Sequence, residues 1–254
     1  MLRILSLYLA PDGEANHWHQ GTWSLFVRTS GCTVGCRWCD TRYSWSSKRG
    51  RDFTVSELVE NIEFYAGSIQ RITLTGGEPL EQPLEELAQL FDLLLKKDFT
   101  ISVETSGAAP VHWLKERSPD LALVVDWKPP SAKASPMILD NYLHLAPRHV
   151  IKLGVADGKD FSAAVELVRS IRNDTRARMV VSPIMPVKGW KEPGLQPSVL
   201  LNWMRNSPML DWNVGLNLQL HKFIHGDSPR DEELTGADWS NQLAEAPRAT
   251  ADHI

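Results

Sequence analysis

Cysteine is scarce in this chain: 254 residues hold only Cys32, Cys36 and Cys39, all within GCTVGCRWCDT. An odd, clustered set argues against a disulfide framework, which would leave one thiol over. No histidine follows until His112, so the fourth ligand that a structural zinc site needs is missing from the neighbourhood. Basic excess is absent as well. A formal net charge of -4 does not neutralise a phosphate backbone, so no nucleic-acid partner is expected. The sequence has no run of about eighteen apolar residues, the span a membrane helix requires, so no membrane association is expected. The opening MLRILSLYLAPDGE meets an acidic turn too early for a secretory leader. Grouped free thiols then point to the reducing cytoplasm.

What is present reads as an ordinary globular chain, with 43% hydrophobic and 23% charged residues. Its length suits one α/β domain, expected over residues 1–226. A polar, weakly periodic tail is expected over 227–254, and no chemistry is assigned to it. Apolar residues recur at helical spacing in three places: Val55, Leu58, Val59, Ile62 and Tyr65; Leu84, Leu87, Ala88, Phe91, Leu94 and Leu95; and Phe161, Ala164, Val165, Val168 and Ile171. Thr54 and Glu57 have capping-box spacing before the first stripe, and Pro83 suits the first turn of the second helix. β-branched and aliphatic runs at 24–28, 71–75, 100–104, 121–126, 150–153, 179–182 and 214–218 read as strands. Alternating strands and helices predict parallel β-α units, with chemistry gathered beyond the carboxyl ends of the strands.

The C-x₃-C-x₂-C triplet is the most specific signal. Three thiolates can hold three corners of an iron-sulfur cluster, leaving one iron open to a ligand. The triplet resembles the signature of the radical S-adenosylmethionine superfamily, and that resemblance implies a 4Fe-4S cluster whose open iron is chelated by S-adenosylmethionine. It further implies an α/β fold of the superfamily's type, a partial (incomplete) TIM-like β/α barrel. Thr75-Gly76-Gly77-Glu78-Pro79 is similar to the family's glycine-glycine-glutamate-proline motif, which makes Gly77 and Glu78 cofactor contacts. Glycine there also lets backbone approach a ligand closely. By the same likeness Trp38, Asp40, Glu104, Ser106, Asp126, Trp127, Lys128 and the run Ser182, Pro183, Ile184, Met185 line the cofactor. Taken alone, Glu104 reads equally as a solvated strand end, and Trp38 as loop packing.

Within the superfamily the chain resembles the 7-carboxy-7-deazaguanine synthase family from about Tyr8 to Phe223, through PDGEA, FVRTSGC, CDT, LTGGEP, VETSG, KPPSA and QLHK. The implied activity is a lyase reaction of queuosine and other 7-deazapurine biosynthesis. In it 6-carboxy-5,6,7,8-tetrahydropterin undergoes radical ring contraction to 7-carboxy-7-deazaguanine with loss of ammonia. Asp12, Gly13, Glu14, Arg28, Thr75, Gln219 and His221 are then substrate contacts, and Thr41 is a Mg²⁺ ligand. No catalytic side chain is implied beyond the cluster-bound cofactor. Arg28 has chemistry suited to its role, since a guanidinium binds a carboxylate in two places; a surface ion pair is its plainer reading. Period-two alternation puts Gln219 and His221 on one side of the last strand. Relatives imply a homodimer and an electron donor such as flavodoxin. Two motifs depart from the family pattern: Asp12 and Ala15 replace a glutamine and a glycine, and Asp126-Trp127 replaces a serine-proline. An activase that abstracts hydrogen from a partner protein's glycine shares the triplet and GGEP but does not call for PDGEA, FVR and QLH together.

Overall fold

A computed structural model of the chain describes residues 1–186 and 194–225, so the tail expected over 227–254 lies outside the described residues. The nine strands of its single sheet run in the order β3-β1-β2-β4-β5-β6-β7-β8-β9. They are β1 (Leu2–Pro11), β2 (Trp23–Thr29), β3 (Arg51–Phe53), β4 (Arg71–Gly76), β5 (Thr100–Thr105), β6 (Leu121–Trp127), β7 (Val150–Val155), β8 (Arg178–Pro183) and β9 (Gly215–Leu216). From β2 through β9 every neighbouring pair is parallel, whereas β1 runs antiparallel to both β2 and β3. The architecture is the α/β, incomplete TIM-like barrel. Central strands buried on both faces explain why 121–125 reads as an unbroken apolar run, and why Ile72, Thr73 and Leu74 are all buried.

The three helical stripes form α1 (Val55–Ala66), α2 (Leu84–Leu95) and α3 (Gly158–Ile171). Each turns its apolar face into one core that includes Leu58, Ile62, Leu87, Phe91, Ala164 and Val168. Thr54 and Glu57 close the capping box: the Thr54 hydroxyl accepts from Glu57 N at 3.2 Å and Glu57 accepts from Thr54 N at 2.9 Å. Two more helices, α4 (Pro197–Arg205) and the short α5 (Leu220–His225), follow β8 and β9. The crossovers β5 to β6 and β6 to β7 contain no α-helix. Pro110 and Pro119 interrupt the first and Pro129, Pro130, Pro136 and Pro147 the second, and proline breaks a helix by removing a donor and clashing with the preceding turn. No helix among the described residues is long and apolar enough to cross a membrane.

Besides β3, α4 and α5, which no pattern announced, the two ends of the sheet differ from the expectations above. The amino terminus is a ten-residue strand, β1, and the last strand is only Gly215–Leu216. His221 therefore lies in the first turn of α5, and the two-residue alternation expected to align it with Gln219 does not operate there. Asn217 N bonds to Val181 O and Leu220 N to Gly13 O, and these contacts turn the chain from the sheet edge into α5.

His149 is fully buried at the end of the sheet away from the cysteine loop. Its Nδ1 accepts from Leu123 N at 2.9 Å, and Nε2 lies 2.9 Å from Lys115 O. The ring must therefore be neutral with its proton on Nε2, and burial pushes its pKa down to about 4. An unfolded histidine titrates near 6.5, so between these values the unfolded chain holds the extra proton and stability falls as pH falls. The loss from this group should begin below about pH 7 and reach on the order of 3 kcal/mol near pH 4. Urea titrations across that range test it: His149→Gln should flatten this part of the pH dependence, and an unchanged profile would remove His149 as its source.

Candidate active site

A cavity of about 250 Å³ opens at the carboxyl ends of the parallel strands. Cys32, Cys36, Trp38, Cys39, Asp40 and Thr41 enter it from the loop after β2; Thr75 and Gly77 from β4; Glu104 and Ser106 from β5; and Asp126, Trp127 and Lys128 from β6. Ser182, Ile184 and Met185 come from β8, Arg28 from β2, Asp12, Gly13 and Glu14 from the turn after β1, and Gln219 and His221 from the β9-α5 join. Of the residues expected in the site, Glu78 and Pro183 do not reach its wall.

Glu78 turns inward instead. It is 1% exposed, and its carboxylate accepts from the Thr105 hydroxyl at 2.7 Å, Ser106 N at 2.7 Å and Leu80 N at 3.1 Å. It clamps the β4 loop to the β5 loop through these three protein donors. Pro183 is buried as the last residue of β8, paired beside Val155. The neighbouring glycines have a steric reason. Gly76 has φ +142°, and a Cβ there would lie 2.3 Å from Thr29 N; one on Gly77 would lie 2.0 Å from Gly31 O. Gly77 N bonds to Thr29 O and Glu78 N to Gly31 O, so the glycine loop is laced against the strand end that leads into the cysteines.

The three cysteines are free thiols. Burial pushes the Cys32 thiol up to about 11, with Glu81 and Glu78 adding to the effect. Burial also raises Cys36, against the opposing pull of Lys128. Metal loading must then displace protons, as thiolate ligation requires. Cys39 Sγ is the best-served acceptor, approached by Trp45 Nε1 at 3.3 Å and Thr41 N at 3.4 Å, with the Thr41 hydroxyl at 3.5 Å. Among the described residues no trio of His, Cys, Asp or Glu closes on a single ion. A cluster asks for no such trio, because each thiolate binds its own iron, and an all-thiol donor set on one loop suits iron-sulfur chemistry. Trp38 is buried and donates to the Ser131 hydroxyl at 3.1 Å, which fixes the indole beside Cys36 and Lys128.

Opposite the cysteine loop the wall is a chain of alternating charges. Asp12, 1% exposed, accepts from Arg71 Nη2 at 2.8 Å, the Thr73 hydroxyl at 3.1 Å and Glu14 N at 3.1 Å. Burial raises its carboxyl despite the Arg71 guanidinium. Glu14 accepts from Gln219 Nε2 at 2.6 Å and Asn217 Nδ2 at 3.0 Å, and pairs with Lys152 Nζ at 3.1 Å. Lys152 also lies 3.1 Å from Asp126 Oδ1, while Lys128 holds Asp126 Oδ2 at 2.7 Å. Burial works against every charge in this group. For Lys152 the carboxylates of Asp126, Glu14 and Glu104 overcome it and raise the pKa, and for Asp126 the two lysines overcome it and lower the pKa. Glu104 receives the Thr75 hydroxyl at 2.8 Å, and burial followed by repulsion from Asp12 pushes it up to about 8.

Lys152 and Tyr8 were not anticipated. Lys152 stands alone as a charge in the apolar run VIKLGV, and a lone charge inside a buried parallel strand must have partners; that was the available signal. Tyr8 belongs to β1. Its hydroxyl accepts from Arg28 Nη2 at 2.7 Å, and its ring stacks on Phe26 at 5.1 Å. Arg28 is 8% exposed, with its guanidinium 5.8 Å from both the Tyr8 and Tyr43 ring centroids. It is a cavity-wall residue, and the surface position of its plainer reading does not describe it. His221 abuts Gly13, where a Cβ would lie 3.2 Å from the ring Nδ1, and faces Asp40 at 3.7 Å alongside Lys222 at 3.0 Å.

Known proteins resemble this chain in sequence and fold. Residues 26–118 match the Radical SAM superfamily. A 7-carboxy-7-deazaguanine synthase of Hyperthermus butylicus is 33% identical over 74% of this chain and 79% of its own length. Another, from Methanospirillum hungatei, is 31% identical over 88% of this chain and 85% of its own. Among solved structures, QueE from Escherichia coli superposes with a TM-score of 0.65 over 86% of this chain and 93% of its own, at 22% identity, a likeness of fold. On these relatives and the cysteine loop that opens into the cavity, the chain belongs to the 7-carboxy-7-deazaguanine synthase family.

Proposed function

We propose that this cavity contracts the ring of 6-carboxy-5,6,7,8-tetrahydropterin to give 7-carboxy-7-deazaguanine and ammonia. The observation that carries the reading is that the cysteine loop, the GGEP loop and the PDGE and QLHK segments line one cavity, although they are far apart in the chain. When bound, the 4Fe-4S cluster and S-adenosylmethionine supply the radical that starts the reaction. Cys32, Cys36 and Cys39 hold the cluster. Gly77 offers backbone to the cofactor where any side chain would collide, and Asp126 and Lys128 form the charged wall beside it.

On the substrate side Arg28 faces the cavity with its guanidinium held by Tyr8, placing a planar fork where a substrate carboxylate can be gripped in two places. Glu14, oriented by Lys152, Asn217 and Gln219, presents a fixed acceptor to the pterin's N–H groups. Glu104, with its pKa near 8, can hold or release a proton at neutral pH, as departure of an amine requires. Thr41 and Asp40 offer hard oxygen donors next to Cys39, the ligand type that Mg²⁺ prefers while it keeps several waters. A homodimer in the cytoplasm completes the reading. The activase alternative draws no support from the pterin-side residues, since a protein glycine has no use for Arg28, Glu14 and Gln219 together.

The test is an anaerobic assay of reconstituted protein with the tetrahydropterin, S-adenosylmethionine, Mg²⁺ and a strong reductant. A deazaguanine product is expected, at a rate that falls when Mg²⁺ is chelated. Arg28→Ala should keep the cluster absorbance and raise KM by about tenfold to a hundredfold, the worth of one charge-assisted pair. Absence of the product would overturn the reading, and an unchanged KM would remove Arg28 from the carboxylate site.

A further inference from the structure

Asp160 is buried in the first turn of α3 and is not part of the cavity wall. Its Oδ1 accepts from Ser131 N at 3.0 Å, and its Oδ2 from Ala156 N at 3.0 Å and from the Ser131 hydroxyl at 2.5 Å. The two backbone bonds tie the turn after β6 and the end of β7 to α3. The hydroxyl bond reaches further, because the Ser131 oxygen in turn receives Trp38 Nε1 at 3.1 Å. Three side chains, from α3, the turn after β6 and the cysteine loop, thus form one line of hydrogen bonds. An indole N–H only donates and an ionised carboxylate only accepts, so the hydroxyl proton points to Asp160 and leaves its oxygen lone pairs for Trp38.

Trp38 stands between Cys36 and Cys39 in the chain and lines the cavity. Lys128 Nζ lies 5.7 Å from its ring centroid, and a Cβ on Gly154 would lie 3.4 Å from its Cη2. The ring therefore reaches from the cysteine loop to β7 and sets the room the cavity has there. Backbone bonds from Arg37 N to Ala132 O and from Ser135 N to Val34 O hold the main chain of the cysteine loop in place. They do not fix the indole, which still turns about its own side-chain bonds. The bond from its polar edge to Ser131 removes that freedom.

We propose that Asp160 and Ser131, neither of which lines the cavity, are positioning residues for S-adenosylmethionine: acting through Trp38, they hold ready the wall that receives it. The proposal rests on the cofactor reading above. A wall already in place has less to order on binding, and preorganisation of this kind appears as affinity. The bonds concern the cysteine-loop side alone. Arg28, Glu14 and Gln219 share none of them, so the substrate side should not register their loss.

Ser131→Ala is the variant that decides, because it cuts the line while Asp160 keeps both backbone bonds. Binding of labelled S-adenosylmethionine to the anaerobic holoenzyme should weaken about threefold to tenfold, the effect of losing one hydrogen bond, with the KM for the tetrahydropterin unchanged. Ser131→Thr keeps the hydroxyl and should restore wild-type affinity. In a Trp38→Phe background, which has the ring but no N–H, adding Ser131→Ala should weaken binding no further, since residues in one network are not additive. A second readout needs no cofactor. In the cluster-free full chain with isotope-labelled tryptophan, the indole N–H resonance that Trp38→Phe removes should exchange with solvent faster in Ser131→Ala and Asp160→Asn than in wild type. Wild-type affinity in Ser131→Ala would overturn the proposal, as would an equal loss of affinity in the Trp38→Phe background or an unchanged exchange rate. A wild-type enzyme that binds the cofactor and makes no deazaguanine would end the proposed function and leave these bonds their role, so the two failures are distinguishable.

Discussion

Alanine at any one of Cys32, Cys36 or Cys39 is expected to remove the cluster and all product formation together. Each thiolate binds a different iron, so the remaining two cannot replace the third, and the described residues offer no histidine or carboxylate group closing on a metal there. The protein itself should survive the change. Cys32 and Cys39 are only partly buried, and trimming a small, half-exposed side chain costs within about 1 kcal/mol. Iron content and visible absorbance of Cys32→Ala after anaerobic reconstitution, set against its far-ultraviolet circular dichroism, separate loss of the cluster from loss of fold. A folded Cys32→Ala protein that kept a full cluster and made product would end the radical assignment.

Arg71→Met should bring the largest loss of stability, on the order of 3 to 5 kcal/mol, because it leaves a buried charge without its partner. Asp12 is 1% exposed and the Arg71 side chain 7%, so water cannot take over. Arg71 also lies 5.5 Å from the Trp18 ring centroid and bonds to the Thr22 hydroxyl, tying the β1-β2 connection to β4. Asp12, already raised by burial, would take up a proton or draw in solvent. Urea unfolding should show the loss, and adding Asp12→Leu to Arg71→Met should restore most of it, since an apolar pair of similar volume can replace a buried ion pair. If Arg71→Met alone unfolds within about 1 kcal/mol of wild type, the pair is not holding this turn. The result also bears on Asp12 as a departure from the family's glutamine. The extra negative charge is answered by Arg71 at the start of β4, two strands away from β1, so the pair braces the turn that follows β1.

Most of the chemistry was legible because its signals are local. A cysteine triplet, a glycine pair after a strand and a Thr-x-x-Glu box each complete their function within a few residues, and the structure puts the thiols and Gly77 on the cavity and the box at the start of α1. What stayed hidden depends on contacts distant in sequence. Glu78 resembled a ligand contact, but its carboxylate is used by Thr105 and Ser106, nearly thirty residues on. β1 was weighed only as a leader and set aside, and what makes it a strand is pairing with β2 and β3, which lie farther along the chain. His221 was placed on a strand because an apolar run preceded it, yet that sheet edge pairs over two residues only. Lys152 was passed over because a single lysine in a strand has no motif to announce it.

That lysine makes the two halves of the pocket answerable to each other. Glu14 belongs to the turn expected to grip the pterin and Asp126 to the strand end proposed to face the adenosyl cofactor, and one ammonium group lies 3.1 Å from each. A change of charge at either carboxylate alters the balance that Lys152 strikes with the other, so the two compartments share one electrostatic constraint. A lineage changing its taste in heterocycles would have to rewrite both walls in step, and this shared cation is where that history should have left its marks.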